Sequence, residues 1–375
     1  MSYRRALIPA VVGSLLITLL LWWAGASDQA LQLRGTTRVF DPQSAAELRR
    51  WLAPWSYDPP AVPLSGGAGA GDPALSGGGQ YAGLYSTAMQ IRFVAVFVFY
   101  LAGALLLVRR LPPARGRTPA TLLALWSWGP VAGTLAVTVS APWLIASRGH
   151  GSFRVLPQLA SVVASSGPAV VFAALVTAPI TVLAAHTALK GTEPAPRREV
   201  APRAARLAAS AGTVVVALSL VVLSYQSVAA RIQTSFDGGG LLSEPGDLLR
   251  TWLLLGGWSG PGTAPLGDWL LYRAADVLVL AVVWWALRLL PGLLTRTTLP
   301  AMAVGAVCAT VLGLLASQVL HMAVDDTSAV WGPVYVFAKL GEGVPAALTF
   351  GVLAGTVSLA ILRLAGGPDS GAVSE

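Results

Sequence analysis

Charge is what this chain has least of. Asp, Glu, Lys and Arg make up 11% of its 375 residues, against roughly 25% in an ordinary soluble domain. There are two lysines (Lys190 and Lys339) and three histidines. A single cysteine, Cys308, excludes an internal disulfide and any cysteine-based metal or iron–sulfur site. The sequence has no G-x-x-x-x-G-K-[ST] nucleotide loop, no H-E-x-x-H and no G-x-S-x-G. No apolar run carries the chain of Asp, Glu or Lys that a proton-coupled pump requires. On this reading no catalytic residue, cofactor-binding residue, metal ligand or cofactor is assigned.

What remains is hydrophobic. Apolar residues account for 55% of the chain and the mean hydropathy is +0.66, which places it among integral membrane proteins. A bilayer core of about 30 Å takes roughly 20 apolar residues as a helix. Eight segments meet that requirement: residues 6–24, 91–108, 119–145, 166–189, 207–226, 270–290, 299–322 and 343–362. The expected fold is therefore all-α, a polytopic membrane protein with eight transmembrane helices. The +8 net charge lies in short clusters flanking apolar runs, a pattern that argues against nucleic acid as a partner.

The loops set an orientation. With the N-terminus cytoplasmic, the inner segments hold 14 basic residues and four acids, and the outer ones 11 basic residues and 13 acids. Both termini are accordingly expected inside, in a bacterial plasma membrane. The opening M-S-Y-R-R, an apolar run and A-G-A resemble a secretory signal. The run's 19 residues and its match to an internal span favour a retained first helix.

Internal similarity redefines the organisation. L-R-R-W-L-A-P-W-S at 48–56 returns as L-R-T-W-L-L-L-G-G-W-S at 249–259. In the same order, Arg4–Arg5 pairs with Arg206, Phe40–Asp41 with Phe236–Asp237, and Arg92 with Arg273. R-L-P-P-A-R-G-R-T-P-A (110–120) pairs with R-L-L-P-G-L-L-T-R-T-T-L-P-A (288–301), and S-S-G-P-A (165–169) with G-E-G-V-P-A (341–346). Four crossings per half give both halves the same orientation. The expectation is two parallel four-helix repeats related by a pseudo-twofold axis along the membrane normal. The first covers 1–189 with a long outer loop at 25–90, and the second 207–375 with an outer loop at 227–269. A Pro-rich cytoplasmic linker, 190–206, joins them.

Ionisable residues near a span are the functional candidates, because burying charge in hydrocarbon is costly. Arg92 and Arg273 open equivalent helices, either as interfacial anchors that reach the headgroups or as candidates to meet an anion or an acid at the axis. Asp276, three residues beyond Arg273, is a candidate partner, as is Glu342 at the start of the last span. His321 with Asp325 and Asp326 has weak metal-ligand spacing, and His186 is expected to reach the headgroups. Trp51, Trp55, Trp252 and Trp258 are expected to be interfacial aromatics on short amphipathic helices that lie on the outer leaflet or cap their half of the bundle. The G-x-x-x-G pairs Gly129–Gly133 and Gly351–Gly355 allow close helix approach.

Three functions fit this pattern. The first is a permease-like or transport-associated subunit without its own energy-coupling motif, embedded in the lipid bilayer and dependent on a gradient or a separate ATPase. The second is a non-catalytic envelope scaffold or assembly protein that docks an envelope protein partner. The third is a membrane enzyme acting on lipid-linked substrates through Asp41 and Asp237, which their duplication disfavours.

Overall fold

The computed structural model describes residues 3–31, 46, 48–49, 51–57, 78–113, 116–147, 155–164, 167–189, 200–235, 244–260, 266–324 and 341–365. The matched Phe40–Asp41 and Phe236–Asp237, the acids Asp325 and Asp326, and most of the 190–206 linker lie outside these residues. The described residues are helical, with no named strand. In chain order they form α1 (Tyr3–Leu31), a 3-10 turn (Ala53–Trp55), α2 (Gly78–Arg110), α3 (Thr118–Ala146), α4 (Val155–Ala164) and α5 (Gly167–Leu189). Then come α6 (Pro202–Ala217), a π-helical turn (Leu218–Leu223), α7 (Gln226–Thr234), α8 (Gly246–Leu253), α9 (Leu266–Leu293), α10 (Leu299–Val324) and α11 (Val344–Ala365).

Eight of these helices are long and apolar enough to cross a membrane: α1, α2, α3, α5, α6 with its π turn, α9, α10 and α11. Each coincides with one of the eight expected spans. Helix entry and exit follow local chemistry. Pro119 and Pro202 stand in the first turns of α3 and α6, where the missing N–H costs no helical bond. Arg109 and Arg110 close α2, and Arg363 closes α11, each favourably placed against the helix dipole. Pro130, Pro142 and Pro179 sit inside α3 and α5 without ending them, as packed neighbouring helices permit.

Within the first half, α1 packs on α2 and α5, and α3 packs on the same two helices. Within the second half, α6 packs on α9 and α11, and α10 packs on those two. The order of neighbours is therefore the same in both rings of four. The halves meet where α3 touches α10, the third spanning helix of each, and where α4 touches α8; α3 and α10 are the two most buried of the eight. Cys308 on α10 points its Sγ at the Ala124 carbonyl of α3, 3.4 Å away. At the arginine-bearing end, the two similar loops touch directly: the Thr295 amide donates to the Arg110 carbonyl at 2.9 Å.

Small residues set the helix spacing. A Cβ on Gly129 or Gly133 would strike Ala174 and Val170 of α5, and one on Gly351 or Gly355 would strike the α10 backbone at Val307 and at Met302–Ala303. Both G-x-x-x-G pairs thus lie where the third and fourth spanning helices of a half meet. His186 is half-buried at the end of α5. Its Nε2 lies 3.3 Å from the Thr118 hydroxyl, which ties the end of α5 to the start of α3.

Candidate functional site

The two tryptophan segments are built from similar sequences and pack differently. In the first, Trp51 and Trp55 stand four residues apart on one continuous helical turn, so both rings project to the same side. That side is the bundle. Trp55 is fully buried, with its ring centroid 6.0 Å from Phe93, and Trp51 is buried and stacked on Phe172 at 6.2 Å. The turn carrying Trp55 lies against α1 so closely that a Cβ at Gly25 would overlap the Trp55 carbonyl. These two rings fill the end of the first helix ring.

Arg92 belongs to that seal. Its side chain is 1% exposed, and its guanidinium lies 5.9 Å from the Trp55 ring centroid. Nε donates to the Ser140 hydroxyl of α3 at 2.9 Å, and a terminal nitrogen donates to the Pro54 carbonyl. The other terminal nitrogen has no hydrogen-bond partner. Among the described residues Arg92 therefore meets neutral oxygens and an aromatic face, and no acid. A buried cation so held ties the 53–56 turn to α2 and α3. Removing the turn would take a charge-assisted hydrogen bond from the buried guanidinium, at a cost of about 1.5–3 kcal/mol. Tyr85 adds a further tie, its hydroxyl donating to the Ser56 carbonyl at 2.7 Å.

In the second segment the tryptophans are six residues apart, separated by Gly256 and Gly257. Helix α8 stops at Leu253, and Leu254 is extended (φ −101°, ψ 116°). The chain then runs along the π-helical end of α6. The Trp258 amide donates to the Ser224 carbonyl at 3.0 Å, and the Gln226 amide donates to the Trp258 carbonyl at 2.8 Å. The Trp258 indole N–H donates to the Val221 carbonyl at 2.8 Å, and the Leu255 amide reaches the Ser219 hydroxyl at 3.3 Å. A π turn frees carbonyls from the helical ladder, and this strap occupies them. Trp252 and Trp258 are only partly buried, so neither fills the end of the second ring.

What the tryptophans leave open is a cavity of about 600 Å³. Its polar lining comes from Arg250 of α8, from Tyr272, Arg273 and Asp276 of α9, and from Gln318 and His321 of α10. Glu342 closes it from the turn before α11. Gly341 and Gly343 give that turn its shape at φ +98° and +81°, a region open to glycine at little cost. Val163 and Ala164 of α4 reach the cavity from the first half. Arg273 is fixed between two neighbours: its guanidinium pairs with Asp276 at 2.5 Å and lies 5.1 Å from the Trp258 ring centroid. The His321 ring packs 5.1 Å from that of Tyr272.

Four of the five polar residues singled out by sequence (Arg273, Asp276, His321 and Glu342) therefore share one cavity, and the Arg273–Asp276 pairing is present. Arg92 lies apart from it. Where Arg92 bonds to Ser140, Arg273 turns to Asp276, and the buried Ser317 and the half-buried His321 of α10 contribute to the cavity wall. Arg250 and Gln318 escaped the sequence reading. Gln318 is uncharged, so a search for ionisable residues in spans passes over it, although an amide inside an apolar run is a comparable signal. Arg250 was visible only as part of a tryptophan motif. Among the described residues no group of His, Cys, Asp and Glu is arranged to hold a metal ion. No family model, curated protein or solved structure matches this chain.

Proposed function

We propose that this chain is a permease-like or transport-associated subunit built from two parallel four-helix repeats. In this reading it lies in a bacterial plasma membrane with both termini cytoplasmic, and the cavity beside α8 and α9 is where solute binds. The observation that carries the reading is the convergence of Arg273, Asp276, His321 and Glu342, drawn from two spanning helices and a turn, on one cavity of about 600 Å³. That size falls within the roughly 300–1,000 Å³ of small-molecule sites, and the wall mixes apolar side chains with convergent polar ones. The identical neighbour order of the two helix rings supports duplication. Because the chain carries no energy-coupling motif of its own, movement of solute depends on a gradient or on a separate ATPase.

Cysteine chemistry tests this directly, since the one native cysteine is buried. In a Cys308→Ala background, Gln318→Cys places a thiol on the cavity wall. A membrane-impermeant maleimide is then applied to right-side-out and to inverted vesicles. A transport path predicts labelling from both faces, because alternating access opens the site to each in turn. Labelling from the outer face alone contradicts transport and leaves the scaffold reading in its place.

A further inference from the structure

We propose that the cavity selects a small zwitterion with an apolar body, one that brings an anionic group and an ammonium group into the site together. This rests on the cavity being the solute site, and it adds the class of ligand.

The lining contains two guanidiniums, Arg250 and Arg273, and two carboxylates, Asp276 and Glu342. The charges are unequally committed. Arg273 is paired with Asp276 through one terminal nitrogen, and its Nε is buried without a partner. Arg250 has no carboxylate partner among the described residues; its only hydrogen bond there runs to the neutral Gln233 Oε1, at a long 3.3 Å. A guanidinium offers five N–H donors in a fork that matches a carboxylate or phosphate. Arg250, with the spare donor of Arg273, is thus equipped to receive an anion.

A purely anionic ligand would meet Asp276 and Glu342 across the same space, and a purely cationic one would meet Arg250. Like charges brought together in a partly dehydrated site weaken binding and reject the wrong partner. A ligand carrying both signs places its anion at Arg250 and its ammonium towards the carboxylates Asp276 and Glu342, so that each of its charges meets one of the opposite sign. His321 and Tyr272 also face the cavity and offer hydrogen-bonding groups to a ligand. The remaining wall, from Leu220, Leu254, Val279, Leu314 and Met322, is apolar. It accepts a hydrocarbon side chain, so the ligand is an amphiphile with a zwitterionic head. Two sources offer that chemistry: free amino acids or short peptides, and the phosphoethanolamine headgroup of a lipid.

Purified protein in detergent is titrated with leucyl-leucine, with its N-acetyl derivative, which lacks the ammonium, and with its methyl ester, which lacks the carboxylate. A second arm uses dihexanoyl phosphatidylethanolamine against dihexanoyl phosphatidylglycerol. Binding is read by thermal melting and by tryptophan fluorescence, because Trp258 lies over Arg273. The expected result is that at least one zwitterion binds about tenfold or more tightly than its singly charged relatives. Arg250→Gln removes that preference while melting like the parent protein without ligand, since Arg250 is exposed. Glu342→Gln weakens the dipeptide more than its N-acetyl form. Binding by the peptide assigns a free solute, and binding by phosphatidylethanolamine alone assigns a lipid. Equal binding of the capped compounds, or no binding by a zwitterion of either source, overturns the proposal. Two-sided labelling of Gln318→Cys without zwitterion preference would remove this inference and keep transport. One-sided labelling with zwitterion binding would do the reverse.

Discussion

Trp55→Ala is expected to cost the protein about 3–5 kcal/mol, the range for emptying a buried tryptophan site. Trp258→Ala should cost only about 1–2 kcal/mol, from one hydrogen bond and one cation–π contact. The two residues come from matching positions of similar segments, so the contrast isolates packing from composition. Trp55 has no exposed surface, lies between Phe93 and Arg92, and stands where the turn meets α1 at Gly25. Its loss creates a void beside a guanidinium whose charge the described residues do not balance. Trp258 is partly open to solvent and is held by its own backbone along the π turn, which remains after truncation. Melting of the two variants in the same detergent checks the prediction. Equal losses would mean that the first segment does not seal its ring.

Leucine at Gly351 or Gly355 is expected to destabilise the second half by about 3 kcal/mol at each site. A Cβ at Gly351 would lie 2.6 Å from the Val307 Cα, and one at Gly355 would lie 2.6 Å from the Met302 carbonyl oxygen. Both obstacles are backbone atoms, so no rotamer change relieves them and α11 must move away from α10. In a bilayer, helices associate through such close packing, because lipid is already as apolar as the helix surface. Gly83→Ala gives the opposite sign. Nothing lies within 4 Å of its added methyl, and replacing a mid-helix glycine stabilises by about 0.5–1 kcal/mol. Thermal melting and the yield of monodisperse protein distinguish the three variants.

The spanning helices were legible in the sequence because their signal is the sum of some twenty apolar residues, which single substitutions barely alter. The Arg273–Asp276 pair was legible for a local reason: residues three apart on a helix are neighbours. The fate of the tryptophans was not. Two added residues, including Gly256 and Gly257, change the Trp spacing from four to six. Whether the rings then enter the bundle depends on the carbonyls that the π turn at Leu218–Leu223 releases. That turn has no mark in its sequence, L-S-L-V-V-L. Arg92 and Arg273 read alike along the chain. One is sealed under a tryptophan and the other opens on a cavity, a difference set by tertiary packing.

The two rings differ at their tryptophan-bearing ends. One ring is closed at its tryptophan-bearing end by Trp51, Trp55 and Arg92. The second ring, strapped open along α6, holds the polar cavity, and α4 of the first ring completes the cavity wall.

The most direct test compares Ser140→Cys and Gln318→Cys, each in a Cys308→Ala background, with one small thiol reagent applied to folded protein. Ser140 is the buried hydroxyl held by Arg92 beneath the seal, and Gln318 is half-buried on the cavity wall of the second ring. The account predicts that Gln318→Cys reacts in the folded state and that Ser140→Cys reacts only after denaturation. Similar reactivity at the two positions would contradict it.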